Sequence, residues 1–151
     1  MTIHLEHANL CVRDIDAMLR FIQTALPEFR VRADHTDDDG SRWVHVGTDD
    51  SYLALSSAWE PGEAPFEPYS GRPGINHLGF EVDDAEALRG RMLSAGYEES
   101  TVPNRHPYRR RVYFRDGEGS DWEFVQYLSS EPAERNDYQI MSLLAGSAGA
   151  L

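Results

Sequence analysis

An internal repeat is the feature that most constrains this chain, because a duplicated unit decides the architecture before any single motif is interpreted. At an offset of 70 residues, His7 aligns with His77 and Asp14 aligns with Asp84. The identity between the two copies is weak, but the chemical character of the aligned residues is consistent. The repeat predicts two modules of the same fold.

Each copy opens with a strand whose alternate residues are apolar, which places both histidines on the face away from the apolar side chains. An acid suited to capping a helix follows, Asp14 in the first copy and Asp83 or Asp84 in the second. Apolar residues at helical spacing then predict a helix that ends before Pro27 or Gly96. The strands predicted after the helices are 29–33, 42–47 and 51–56, and then 97–102, 110–115 and 122–128.

This order of elements predicts an α+β domain, in which two βαβββ modules form curved mixed sheets around a metal-binding cleft. The domain is assigned to 1–130, with module one at about 3–57 and module two at about 75–128. The linker between them, about 58–74, is rich in proline and glycine, which suits an irregular connection. The tail, 131–151, is polar and then rich in small apolar residues, without recognisable chemistry.

Composition excludes several classes of function. The chain has 151 residues and no apolar run long enough to span a membrane. Its formal net charge of −12 disfavours nucleic-acid binding. Because the start lacks an export signal and the single cysteine leaves no disulfide framework, we expect a soluble, cytoplasmic protein. The basic residues cluster once, at 105–111, where they either bind an anionic substrate or form a solvated loop.

Three side chains form a candidate metal site. A histidine alone on a strand is more often a satisfied core or surface residue than a ligand. His7 and His77, however, hold the same position in a repeated unit and would converge if the modules pair about a pseudo-twofold axis. Glu123 interrupts an apolar strand, so it must reach solvent, a cationic partner or a metal ion. Two imidazoles and one carboxylate suit Fe²⁺ or Mn²⁺, with Zn²⁺ or Ni²⁺ as alternatives.

The repeat and three segments resemble the vicinal oxygen chelate superfamily, which includes glyoxalases, extradiol dioxygenases and bleomycin resistance proteins. The segments are LEHANL at 5–10, INHLGFEV at 75–82 and DGEGSDWEF at 116–124. The resemblance covers roughly the first 128 residues and implies that His7, His77 and Glu123 bind the metal ion. The superfamily contains several kinds of enzyme and metal-free binding proteins, so the fold alone does not fix the reaction.

The resemblance also separates classes of reaction. Glyoxalase-type sites take a fourth ligand, a glutamate, from the last strand of module one, where this chain has Ala54. Extradiol dioxygenases use three protein ligands, and an extradiol-like signature runs from Asn104 through His106 and Tyr113 to Glu123. Gly117 departs from it, because the signature has proline there. By resemblance, His106 acts as an acid or base and Tyr113 donates a hydrogen bond to the substrate; otherwise, they are loop and core residues.

We therefore predict a divalent-metal-dependent enzyme that acts on a small oxygenated molecule. Extradiol-dioxygenase-like chemistry is favoured over the lyase or isomerase chemistry of glyoxalases. The alternative from another class is a small-molecule-binding resistance protein, against which the retained ligand set argues. We expect no nucleic-acid or membrane partner, and the resemblance implies a homodimer. The sequence leaves open whether the cleft closes within one chain or across a dimer.

Overall fold

Two four-stranded mixed sheets make up the fold of the computed structural model, which describes residues 3–58, 67–102 and 105–139. The elements in chain order are β1 (His7–Val12), α1 (Ile15–Ala25), β2 (Arg30–Thr36), β3 (Arg42–Gly47), β4 (Tyr52–Ser57), β5 (His77–Glu81), α2 (Ala85–Ser94), β6 (Glu98–Glu99), β7 (Arg109–Arg115), β8 (Asp121–Tyr127) and α3 (Pro132–Arg135). The first sheet has the order β1-β4-β3-β2 and the second β5-β8-β7-β6. In each sheet the first and last strands of a module pair in parallel, and the other pairs are antiparallel. The predicted α+β fold of two βαβββ modules is confirmed.

Both long helices begin at an aspartate. Asp14 accepts a hydrogen bond from the N–H of Ala17 at 2.8 Å, and Asp84 accepts one from the N–H of Ala87 at 2.9 Å. Of the two acids left open for the second helix, Asp84 is therefore the cap. A helix leaves its first N–H groups without internal partners, so each cap contributes roughly 1 kcal/mol.

One face of each sheet packs against the helices, and the side chains of both modules join in one core. Phe21 of α1 lies with its ring centroid 5.0 Å from that of Tyr97 and 5.4 Å from that of Trp122, both in module two. The exposure of β1 and β5 alternates as predicted, with His7 and His77 on the outer faces. We call these two surfaces the open faces of the first and second sheets.

The edge strand of the second sheet is shorter than predicted. The pattern indicates a strand at 97–102, but β6 covers only two residues. Beyond it, the hydroxyl of Thr101 accepts a hydrogen bond from the N–H of Tyr113 at 2.8 Å. A side chain thus takes the place of a backbone carbonyl, and regular pairing ends there.

The predicted linker and tail are described only in part. Positions 59–66 of the linker and 140–151 of the tail lie outside the described residues, as does Asn104 of the extradiol-like signature. The described part of the tail contains the short helix α3. Within the described ranges, no helix is long and apolar enough to cross a membrane.

Candidate metal centre

The strand register brings two of the three candidate ligands together. Glu123 of β8 lies opposite Gly79 on one side and Tyr113 on the other. His77 precedes Gly79 by two residues, so its side chain shares the open face with that of Glu123. The Nε2 atom of His77 lies 3.0 Å from Oε2 of Glu123. Alternation along two neighbouring strands therefore suffices to form this pair.

Tyr113 lies beside the pair. Burial and a hydrogen bond to the Glu123 carboxylate both raise the pKa of the Tyr113 phenol above its usual value. Its ring also meets that of His77 edge-on, with centroids 5.8 Å apart. A phenol with a raised pKa keeps its proton near neutral pH, so Tyr113 is a hydrogen-bond donor in this site.

A tight turn before β8 positions Glu123. The buried carboxylate of Asp116 accepts hydrogen bonds at 2.9 Å from the N–H groups of Glu118 and Ser120. It also accepts one at 2.9 Å from Nε1 of Trp122, whose indole is buried on the core face. Burial raises the pKa of the Asp116 carboxyl, and these hydrogen bonds oppose the shift. One oxygen of the Asp116 carboxylate thus bonds the turn, and the other bonds Trp122 of β8. Together they fix the start of β8 relative to the turn.

The far side of the His77 ring contacts Tyr69. The hydroxyl of Tyr69 lies 3.0 Å from Nδ1 of His77 and donates to Oδ2 of Asp121 at 2.8 Å. Asp121 is 4% exposed and also accepts a hydrogen bond from the hydroxyl of Ser100. Burial and the hydrogen bond to Asp121 raise the pKa of Tyr69 to about 12. A chain of hydrogen bonds therefore runs from His77 to a buried carboxylate.

Neither Tyr69 nor Asp121 was predicted from the sequence as a site residue. Tyr69 falls in the segment interpreted as linker, and no local pattern connects it with a strand eight residues further on. The sequence does contain a signal for Asp121. An acid, an apolar residue and a second acid follow one another at 121–123, and in a strand this order places both acids on one face.

His7, the third candidate ligand, lies on the open face of the first sheet. It hydrogen-bonds Glu6 through Nδ1 and stacks on Tyr52, with ring centroids 5.0 Å apart. Within the described part of the chain, no three His, Cys, Asp or Glu side chains form a group that could hold a metal ion. One chain therefore joins His77 with Glu123 and leaves His7 apart from them.

The register also shows what the first sheet lacks. Asn9 of β1 pairs with Ala54 of β4, and Gly79 of β5 pairs with Glu123 of β8. Ala54 thus occupies the position in the first sheet that Glu123 occupies in the second. A row of rings covers this open face instead, with centroids of successive members between 4.7 and 5.6 Å apart. Its members are His7, Tyr52, His45, Trp43 and His35.

His106, the predicted acid or base, is buried and holds the segment after α3. Its Nδ1 accepts a hydrogen bond from the N–H of Tyr108 at 3.2 Å, and its Nε2 lies 2.9 Å from the carbonyl oxygen of Asp137. Arg109 donates to the same carbonyl at 2.7 Å. Both ring nitrogens thus have structural partners, and the catalytic role of His106 stays a prediction.

The arginines beside the candidate site differ from the basic cluster predicted at 105–111. Arg109 is occupied by the segment after α3, and Arg110 is exposed. Arg111 and Arg115, two residues on either side of Tyr113, share its face of β7. Their positive charges lower the pKa of Tyr113 and Tyr69 respectively, against the larger effect of burial. The open face of the second sheet therefore places cations beside the His77–Glu123 pair.

The chain matches one family of known proteins. Residues 4–124 match the sequence model of the Glyoxalase/Bleomycin resistance protein/Dioxygenase superfamily. No curated protein matches the sequence significantly. The family match spans both modules and all three candidate ligands.

Solved structures of this superfamily share the fold. The fosfomycin resistance protein FosX from Mesorhizobium loti is 22% identical, with a TM-score of 0.64 over 89% of this chain and 98% of that chain. A glyoxylase/bleomycin resistance protein/dioxygenase domain from Frankia sp. is 23% identical, with a TM-score of 0.68 over 84% and 99%. A FosX variant from Listeria monocytogenes, complexed with Mn(II) and 1S,2S-dihydroxypropylphosphonic acid, is 16% identical, with a TM-score of 0.65 over 91% and 100%. Likeness at these identities establishes the fold and leaves the reaction open.

Proposed function

Because this chain belongs to the glyoxalase/bleomycin resistance protein/dioxygenase superfamily, we propose that it is an enzyme whose divalent metal ion is held by His7, His77 and Glu123. Its substrate is a small, oxygenated, anionic molecule. The observation that carries the proposal is the pair formed by His77 and Glu123, whose facing atoms are 3.0 Å apart.

The arrangement of hydrogen bonds around His77 supports a cation at this pair. A carboxylate only accepts, so Tyr69 directs its single hydroxyl proton to Asp121. The Tyr69 oxygen then accepts from His77, which places a proton on Nδ1 of the ring. On a neutral ring, Nε2 presents a lone pair to the Glu123 carboxylate. Two acceptors this close repel one another unless a second proton or a metal cation lies between them.

In our proposal, a second copy of the chain supplies His7. Within the described ranges, a single chain forms no group of three ligands, yet His7 lies on the open face of its own sheet. If the first sheet of one copy faced the second sheet of another, His7 would approach His77 and Glu123, and both open faces would be covered. A twofold axis would then create two identical sites in a homodimer.

The residues around the pair suit the handling of an oxyanion. When bound, the ion would polarise an oxygen of the substrate, and Mn²⁺ or Fe²⁺ fits this ligand set best. With Ala54 in place of a fourth carboxylate, the three protein ligands would leave coordination positions for that oxygen. Tyr113 can donate a hydrogen bond to an oxygen that gains negative charge. Arg111 and Arg115 supply positive charge for an anionic group, and the Listeria FosX variant is itself complexed with a phosphonic acid.

Two reaction classes make different demands on His106. Extradiol ring cleavage, by resemblance, needs His106 as an acid or base, but both of its ring nitrogens have structural partners. Polarisation of a substrate oxygen, as in a lyase or isomerase, needs only the ligands, Tyr113 and the arginines. The arrangement therefore favours the second class. Oxygen uptake by the Fe²⁺-loaded protein with a panel of catechols would reverse this preference.

Metal titration of the purified apo-protein tests the proposal. We expect about one Mn²⁺ per chain, and a sharp fall in bound metal in His77→Ala and Glu123→Ala because each removes a ligand. His35→Ala is the matched control, since His35 lies at the far end of the row of rings. Unchanged metal content in both ligand variants would remove the proposed site.

A further inference from the structure

We propose that Tyr69 and Asp121 are positioning residues that orient His77 and keep its proton on Nδ1, so that Nε2 is presented to a divalent cation. This inference rests on the proposed function and extends it to two residues outside the ligand set. It is carried by two hydrogen bonds of the Tyr69 hydroxyl, which accepts from Nδ1 of His77 at 3.0 Å and donates to Oδ2 of Asp121 at 2.8 Å.

Burial of Asp121 gives this chain of hydrogen bonds a fixed end. A carboxylate that is only 4% exposed costs free energy unless each oxygen finds a donor. Oδ1 of Asp121 accepts from Ser100, and Oδ2 accepts from Tyr69. The Tyr69 hydroxyl therefore cannot turn away without leaving a buried charge short of a partner. This requirement holds the Tyr69 oxygen where Nδ1 of His77 can donate to it.

The backbone of Tyr69 points to the same role. Its φ of 62° lies in the left-handed region, which an aromatic residue rarely adopts and where glycine or asparagine costs less. The N–H of Tyr69 donates to Oδ1 of Asn76 at 2.8 Å, so the segment is tied to the residue directly before His77. Local conformational preference does not explain a tyrosine here, whereas the contacts of its hydroxyl do.

Support of this kind has a known physical effect. A histidine that binds a metal through one nitrogen usually donates from the other to a carboxylate or a carbonyl, which fixes its tautomer and ring orientation. His7 shows the direct form, because Glu6 hydrogen-bonds its Nδ1. His77 shows an indirect form, with Tyr69 between the ring and Asp121. In both histidines the Nδ1 atom is occupied and Nε2 is the nitrogen left for a ligand.

The affinity for Mn²⁺, measured by isothermal titration calorimetry, is the first test. Tyr69→Phe keeps the ring and removes the hydroxyl, and we expect the Kd to rise roughly 10- to 100-fold. Tyr127→Phe is the matched control, because Tyr127 lies on the same open face of β8 but contacts Arg135 instead of the ligands. Equal affinities of the wild-type protein and Tyr69→Phe, with both folded by circular dichroism, would overturn the inference.

The tautomer of His77 is the second test, and it needs no metal. In ¹⁵N-histidine-labelled apo-protein at a pH where the ring is neutral, we expect the wild type to carry its proton on Nδ1 and Tyr69→Phe to shift toward the Nε2 form. Asp121→Asn, which keeps the shape and removes the charge, should move affinity and tautomer in the same direction by less. His77→Gln assigns the resonance.

The two tests separate the two hypotheses. If the wild type fails to bind Mn²⁺, the proposed function is wrong, and the tautomer shift still decides whether Tyr69 orients His77. If the wild type binds Mn²⁺ and Tyr69→Phe leaves both affinity and tautomer unchanged, only the positioning role is wrong.

Discussion

The two sheets have the same strand order and corresponding registers, but their open faces differ in chemistry. In the second sheet, the position opposite Gly79 is Glu123, which lies beside His77 and Tyr113. In the first sheet, the corresponding position is Ala54, and His7 belongs to a row of aromatic rings. Two equivalent strand positions of the duplicated scaffold therefore carry different side chains, and only the one in the second sheet is a carboxylate.

The two histidines also differ in how firmly they are held. The Glu6 side chain that hydrogen-bonds His7 is 56% exposed, so solvent weakens the electrostatic interaction between the two side chains. The carboxylate behind Tyr69 and His77 is buried. In the proposed site, the second sheet would therefore present a preorganised half-site, and the first sheet would supply a single, more adaptable ligand. We expect metal affinity to depend mainly on the second sheet.

The largest expected effect comes from removing the carboxylate that distinguishes the sheets. Glu123→Ala should reduce bound Mn²⁺ from about one equivalent per chain to a small fraction of that, because it leaves the ion with imidazole ligands alone. His7→Ala should lose less, since the preorganised half-site remains. Metal analysis of the two variants side by side checks this order, and a greater loss in His7→Ala would contradict it.

Adding a carboxylate to the first sheet should make the two sheets more alike. Ala54→Glu should retain the metal but lower kcat on the order of 100-fold, because the new side chain takes the room left for a substrate oxygen. Ala54→Ser, which is small and neutral, is the control. Full activity in Ala54→Glu would mean that the space beside Ala54 is not where substrate binds.

Tyr113 tests the chemistry of the second face without replacing a ligand. Tyr113→Phe should lower kcat roughly 10- to 100-fold and change KM little, because a donor to a developing oxyanion acts mainly in the transition state. Steady-state kinetics with Tyr127→Phe as the control would show this split. A rise in KM with kcat unchanged would assign Tyr113 to substrate binding instead.

Similar turns in the two modules permit a smaller comparison, of stability. Asp116 and Asp37 each begin a turn closed by backbone hydrogen bonds, but Asp116 is buried under Trp122 and Asp37 is exposed. Asp116→Ala should destabilise the protein by about 2–3 kcal/mol, since it leaves a buried indole N–H and two backbone N–H groups without their acceptor. Asp37→Ala should cost less than about 1 kcal/mol. Urea unfolding of both variants would measure the difference, and equal losses would contradict it.

The smallest predicted effect is the pH dependence of a salt bridge in module two. Arg89 donates to Glu99 at 2.7 and 2.8 Å, and this contact lowers the pKa of the Glu99 carboxyl below its usual 4.5. The stabilisation is therefore present above about pH 4.5 and is lost as the pH falls through the lowered pKa. Glu99→Gln should cost about 0.5 kcal/mol at pH 7, because the pair is partly exposed. The two proteins should become equally stable at lower pH, and a constant difference would exclude this origin.

Sequence periodicity could predict the fold and the pairing of His77 with Glu123 on one face, because both depend on local alternation. The repeat predicted two equivalent strands, and alternation placed His7 and His77 outward. Contacts between distant segments were beyond its reach. Tyr69, which contacts His77, has a left-handed backbone conformation that no sequence pattern predicts. His106 contacts a backbone carbonyl of the segment after α3, which is distant in sequence.

Complementation between two defective variants tests whether His7 of one copy completes the half-site of another. His7→Ala and Glu123→Ala, carrying different affinity tags, are co-expressed, and the mixed dimer is purified through both tags for metal analysis. A site shared between chains leaves one of the two sites in the mixed dimer intact, so we predict about one tightly bound Mn²⁺ per mixed dimer, little metal in Glu123→Ala and weakened binding in His7→Ala. A mixed dimer that binds no more Mn²⁺ than the mean of its two parents would contradict the shared site, because a site built within one chain is defective in both partners.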